Sequence, residues 1–227
     1  PGSFLLMKKN LLLILFTAIT SFAFAQTEPS FGVRAGVTSS TMKGDAVDNL
    51  KSMLDFTNGM VTTQSRTGFY GGASVSVPLG SQFSMEPGIY YSQKGYEMKG
   101  DFAIKGLDFL GANAKAKLNT QYIDIPLLLK ADMGGLQLFA GPQVSYLVNA
   151  DLKATAGALG INLFSRTMDA TNNFNRWDAA VTGGVGYQFT NGLNIRASYD
   201  HGLSKVDANQ NVESYNRAFK VGIGFNF

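Results

Sequence analysis

His201, the one histidine in the chain, stands within three residues of Ser198, Asp200 and Ser204. A serine, a histidine and an acid are the parts of a nucleophilic triad, in which the imidazole takes the serine proton and the carboxylate orients the ring. At the end of a strand near lipid, such a set would hydrolyse or modify a lipid. The plainer reading, an interfacial histidine near head groups, is preferred. Asp124, Asp178 and Asp200 offer oxygen ligands for a hard cation such as calcium, although the twelve-residue calcium loop is missing. The glycine repeats Gly71-Gly72, Gly183-Gly184-x-Gly186 and Gly222-x-Gly224 have neither the following helix nor the lysine of a phosphate cradle. With no cysteine in the chain, disulfides, thiolate metal centres and a lipidated cysteine are excluded. No metal and no cofactor is expected.

The elements that would carry these residues are strands. Past Gln26 the apolar period is two and recurs eight times, near 30–38, 67–78, 82–95, 120–131, 136–148, 177–189, 193–202 and 215–227. Each segment is long enough to cross a bilayer at a tilt. Their connections alternate. Residues 78–81, 132–135 and 190–192 are tight, glycine-bearing turns, whereas 39–66, 96–119, 149–176 and 203–214 are long loops. A weak helical pattern marks Ala46–Phe56. Short turns at one end and long loops at the other predict an all-β fold, an eight-stranded antiparallel up-and-down transmembrane β-barrel, with both termini periplasmic. Pro87, Pro126 and Pro142 interrupt three of the predicted strands, and bulges are expected there.

Which face meets lipid follows from parity. Arg34, Glu86, Lys94, Asp124, Lys130, Asp178, Arg196, Asp200 and Lys220 all fall on the polar face. Arg217 is the single formal charge on the apolar face, close to a loop. A lysine or arginine facing the middle of a bilayer costs about 2–4 kcal/mol, so the partition fits an enclosed polar lumen and a lipid-facing exterior. The nine enclosed charges are expected to form an ion-pair network, with Tyr70, Tyr90, Tyr122, Gln137, Gln143 and Gln188 around them. On the apolar face, Phe69, Tyr91, Tyr146, Trp177, Tyr199 and Tyr215 gather toward the loop ends. Phe31, Phe83, Phe189, Phe225 and Phe227 gather toward the turn ends. Two such levels predict the aromatic girdles of a membrane barrel. The closing pattern Lys220-x-Gly222-x-x-Phe225-x-Phe227 has the spacing of the terminal strand read by the barrel-assembly machinery.

The N-terminus is set apart. Met7-Lys8-Lys9, the apolar run through Phe22 and the small-x-small end Ala23-Phe24-Ala25 predict a secretory leader, with residues 1–6 an upstream remnant. That makes 1–25 a removable stretch and 26–227 one barrel domain. Lys8 and Lys9 supply two of the three units of the net charge of +3, so the remainder is nearly neutral and gives no argument for nucleic acid.

With these residues laid out, the chain resembles the PorT-like family of small outer-membrane barrels. The resemblance rests on Glu86-Pro87-Gly88-Ile89-Tyr90-Tyr91-Ser92-Gln93-Lys94-Gly95, on Tyr122-Ile123-Asp124-Ile125-Pro126-Leu127-Leu128-Leu129-Lys130, and on Ala140-Gly141-Pro142-Gln143-Val144-Ser145-Tyr146. Gly184-Val185-Gly186-Tyr187 and Gly192-Leu193-x-Ile195 also fit. The three prolines belong to these blocks. The resemblance implies the outer-membrane barrel fold and, through the member that gives the family its name, a link to protein secretion. It supplies no catalytic residues.

The expected role is therefore structural or interactive, exerted through long extracellular loops above a plugged lumen, in a protein that is not an enzyme. Outer-membrane lipid, the assembly machinery and a secretion or surface-protein partner are the expected contacts. A lipid-modifying enzyme using His201 and a narrow channel are the alternatives, and a soluble periplasmic barrel is the fallback.

Overall fold

The computed structural model describes residues 28–43, 60–102, 112–158, 161–206 and 213–227. The expected leader within 1–25 and the helical pattern at Ala46–Phe56 lie outside the described residues. Alternating β-branched, aromatic and small residues build nine strands: β1 (Ser30–Lys43), β2 (Met60–Pro78), β3 (Phe83–Phe102), β4 (Ala112–Met133), β5 (Leu136–Ala158), β6 (Ile161–Asp169), β7 (Trp177–Gln188), β8 (Leu193–Gly202) and β9 (Tyr215–Asn226). All described pairings are antiparallel. The order β4-β3-β2-β1-β9-β8-β7-β5, closed by β4 against β5, makes an eight-stranded barrel. Closure leaves no edge along these eight staves. β6 is an extra strand, paired to the part of β5 that runs on beyond β7.

Polarity is inverted relative to a water-soluble fold. Phe31, Val33, Ile89, Leu127, Val185 and Ile223 stand on the outer surface, Ile223 at 59 % exposure, while Tyr122 and Asp124 are fully buried inside. A barrel whose backbone is paired within itself and whose apolar residues point out is the solution a hydrocarbon solvent demands.

Two expectations are corrected by the strand pairing. The loops 39–66, 96–119 and 149–176 each contain strand. β2 begins at Met60, β3 runs to Phe102, β4 starts at Ala112, and the third of these loops contains the end of β5 and all of β6. These extensions carry lysine, alanine and glycine where a membrane-embedded stave carries large apolar residues, so they show little apolar alternation. The prolines do not produce bulges. β3 keeps one register against β4 on both sides of Pro87 and Pro126, and β5 keeps one register against β7 through Pro142. Pro87 and Pro142 are placed on the outer face and Pro126 on the inner one. The register shifts instead between Ser65 and Tyr70 of β2, and where Tyr122 of β4 takes Leu147 of β5 and skips Val148. Gly95, at φ +138°, stands opposite the first of these irregularities, a backbone conformation an L side chain rarely adopts.

Glycines make room for the lumen contents. Arg34 is flanked across both neighbouring strands by Gly72 and Gly224, and Arg196 by Gly186 and Gly222. The Tyr70 ring lies over Gly36 and Gly222, where an added Cβ would meet it, and a Cβ at Gly184 would come within 2.6 Å of the Phe139 ring. Gly222→Ala is therefore expected to destabilise the folded barrel by about 1–3 kcal/mol through overpacking. Chemical denaturation in detergent micelles would measure this, and a loss below about 0.5 kcal/mol would show that Tyr70 yields freely.

Candidate functional site: the polar lumen

Strand alternation sends all nine predicted charges inward, where each is at least nine-tenths buried. They separate into two ionic clusters and one isolated acid. Near the turn end, the Glu86 carboxylate accepts from both Nη1 and Nη2 of Arg196, the second at 2.8 Å. Lys130 stands 3.4 Å and Arg34 3.6 Å from the same carboxylate. Around them Gln137 accepts from Arg196 Nε at 3.1 Å, the Tyr90 hydroxyl accepts from Arg34 Nη1 at 3.0 Å, and Ser76 accepts from Lys130 at 3.1 Å.

Closer to the loop end, Asp124 is saturated. It accepts from Lys94 and Lys220 at 2.8 Å each and from the hydroxyls of Ser92 and Ser145 at 2.6 Å each. Lys220 bridges on to Asp200 at 2.7 Å, and Thr182 donates to that acid at 2.9 Å. Lys94 also stands over the Tyr122 ring at 4.8 Å. Buried carboxylates are stable only when their lone pairs are filled in this way. Asp178 differs. It accepts from the Ser204 hydroxyl at 2.6 Å and from Asn216 Nδ2 at 2.7 Å, and no ion pair to it is found among the described residues.

Above the polar clusters the interior changes character. Met42, Leu118 and Val206 form a buried apolar cluster with Tyr96, Leu152 and Phe174 against it. Phe174 also packs on a second cluster of Tyr122, Leu147 and Ala150. Phe174 is brought there by the return from β6, a single 3₁₀ turn at Thr171–Asn173. Thr171 anchors that turn: the Ala150 backbone N–H donates to its hydroxyl at 3.0 Å, and its own backbone N–H donates to Asp169 at 2.8 Å. The Thr171 hydroxyl and N–H together hold the Asp169 carboxyl below the usual range. This cap is absent from the sequence-based expectations. A signal was present, because Met42 and Leu118 are apolar residues at inward parity beyond the last charged positions. Nor does the sequence mark Ser92, Ser145 and Asn216, or Ser204 as the partner of Asp178, as the neutral donors that complete the acids.

The other candidates are placed as follows. His201 points outward, edge-on to Tyr199, with ring centroids 6.1 Å apart. Asp200 points inward to Lys220, and the Ser204 hydroxyl donates to Asp178. The structure thus does not bring serine, histidine and acid together. Asp124, Asp178 and Asp200 each have separate partners, and no three His, Cys, Asp or Glu side chains converge as a ligand set among the described residues. On the outer face Phe69 pairs with Tyr91 at 5.9 Å and Tyr146 with Trp177 at 5.0 Å, and Tyr199 stands exposed beside Phe219. Tyr215 lies further toward the loops, under the Arg217 guanidinium at 5.8 Å. In the closing pattern, Lys220 and Gly222 face the lumen, while Phe225 and Phe227 point out with their rings 5.2 Å apart.

Residues 24–208 match the family model described as outer membrane protein beta-barrel domain. No curated protein matches the chain. Similar solved structures include Ail, the attachment invasion locus protein of Yersinia pestis, at 14 % identity, TM-score 0.46, over 88 % of this chain and 100 % of that one. Neisserial surface protein A is similar at 16 % identity, TM-score 0.47, over 88 % and 100 %. The outer membrane protein OprG of Pseudomonas aeruginosa is similar at 16 % identity, TM-score 0.33, over 87 % and 95 %.

Proposed function

Because the chain belongs to the outer membrane protein beta-barrel domain family, we propose that it is a non-conducting outer-membrane barrel whose work is done by the sheet standing above its sealed lumen. The observation that carries this reading is the double closure of the interior. The ionic clusters are capped by Met42, Leu118 and Val206, and Phe174 lies against that cap. A pore needs a continuous wet path from end to end, and an apolar cluster across the loop end interrupts that path.

What remains available for contact is the region beyond the barrel mouth. There β2 to β5 continue outward and β6 adds an edge strand, with Leu163 exposed at 74 % and Phe164 and Met168 also exposed. Among the described residues β6 is paired on one side only, and an edge with apolar side chains suits pairing with an extended segment of another protein. In this reading the turn end and both termini face the periplasm, the loop end faces outward, and Lys220, Gly222, Phe225 and Phe227 serve the assembly machinery. The motifs quoted for the PorT-like resemblance support a partner in protein secretion.

Two measurements test the proposal. In planar bilayers the protein is expected to give no step conductance above leak, and a steady unitary conductance would overturn the closed lumen. In detergent extracts, a bound partner is expected to be lost from the combined Leu163→Ser, Phe164→Ser, Met168→Ser variant while the barrel stays folded. A partner retained at full occupancy by that variant would move the contact elsewhere.

A further inference from the structure

Between the two ionic clusters the lumen holds a cavity of about 40 Å³, whose walls include Arg34, Arg196, Lys220, Tyr70, Tyr90 and Asp200. We propose that this cavity is a binding site for one small monovalent anion, a chloride or another monatomic halide.

The first argument is charge. The cluster at the turn end sets one carboxylate, Glu86, against Arg34, Lys130 and Arg196. Asp132 reaches this group through Gln137 and through its charge acting on Lys130, and counting it still leaves three cations against two acids. The cluster above does not supply the missing negative charge, because Asp124 and Asp200 are matched by Lys94 and Lys220, and Asp178, which balances the lumen as a whole, stands nearer the loop end among neutral partners. Uncompensated charge in an enclosed interior is costly enough that a mobile counter-ion is drawn in wherever there is room.

The second argument is an unused donor. A guanidinium carries five N–H groups. In Arg34, Nη1 is taken by Tyr90 and Nη2 by Asn194, but the buried Nε–H has no partner. Arg34 is itself more than nine-tenths buried and lines the cavity.

The third is size. One water needs about 10–15 Å³ of such space, so the cavity has room for a monatomic halide with a water or two beside it. Asp200 is the one acid in the wall, and its oxygens are held by Lys220, Thr182 and Gln143. Arg34, Arg196 and Lys220 therefore set the sign of the site, and a metal cation is disfavoured.

The test uses the whole protein in detergent and bromide as the probe. At matched ionic strength, the urea midpoint is expected to rise with the logarithm of bromide or chloride concentration above the Kd relative to gluconate, whereas sulfate, which strengthens burial without binding, is expected to raise the parent and Arg34→Met alike. Crystals grown with sodium bromide are expected to show an anomalous peak beside Arg34 Nε. Arg34→Met, which removes the donor and one cation together, is expected to abolish the halide dependence. Should that variant not fold, the anion series on the unaltered protein still decides. Equal midpoints in bromide, chloride and gluconate, or a bromide map empty at the cavity, would overturn the proposal. So would a halide dependence that survives Arg34→Met.

Discussion

Glu86→Gln is expected to cost the barrel about 3–5 kcal/mol of stability, the penalty for removing one partner from a buried ion pair. The expectation follows from the imbalance around this side chain. Its carboxylate is the shared acceptor of Arg196, Lys130 and Arg34, all nine-tenths buried, and Ser74 donates to it as well. Glutamine keeps the volume and one oxygen but removes the charge, which leaves three cations facing each other in an enclosed space. Asp178→Asn is the natural control. Asp178 is also buried, but its partners Ser204 and Asn216 are neutral, so the loss there should be nearer the about 1 kcal/mol of an ordinary hydrogen bond. Arg196→Met should then hurt the Glu86→Gln protein less than it hurts the parent, because it removes a charge that no longer has a partner. The fluorescence of Trp177, the single tryptophan, would follow urea unfolding in micelles. A Glu86→Gln loss no larger than that of Asp178→Asn would mean that the cations are neutralised in some other way.

The parts of this molecule that sequence reveals are those governed by a period of two and a single solvent. Within the staves, a slip of one residue would send Glu86 or Arg196 into hydrocarbon, so parity is strongly enforced and every lumen charge can be assigned by counting. Beyond the mouth that constraint ends. Lys117 and Lys153 face each other across β4 and β5, and Lys115 and Lys117 both stand near Glu97, a pattern that water tolerates and that reads like loop. The skipped residue at Val148 resets the parity of β5 just where its outer extension begins, so alternation could not be followed from Tyr146 to Ala158. Partners across the lumen were harder still. That Glu86 meets Arg196, 110 positions away, depends on barrel diameter and stagger, which no local pattern encodes. The cap was hidden for a related reason: Val206 and Phe174 come from segments outside the staves and converge with Met42 and Leu118 only after closure.

Leu127→Arg is expected to destabilise the barrel in lipid vesicles by about 2–4 kcal/mol, whereas Ala131→Arg should cost about 0–1 kcal/mol. Both residues belong to β4 and share its outward parity. Their depths differ. Tyr91 pairs with Ile123 at the loop-end aromatic level and Phe83 with Ala131 at the turn-end level, which puts Leu127 midway between the two. A guanidinium at Leu127 must drag water and head groups to the middle of the hydrocarbon or leave it altogether. At Ala131 the same group reaches the interface by extending its own chain. The contrast isolates the solvent, because both substitutions add the same side chain to the same exposed face of the same strand. In water, an arginine on an exposed face changes stability by less than about 0.5 kcal/mol at either position. Equal effects at the two sites would therefore mean that the apolar belt does not lie in hydrocarbon. A depth-graded penalty would fix the bilayer against the barrel and give the level from which the β2–β6 sheet rises.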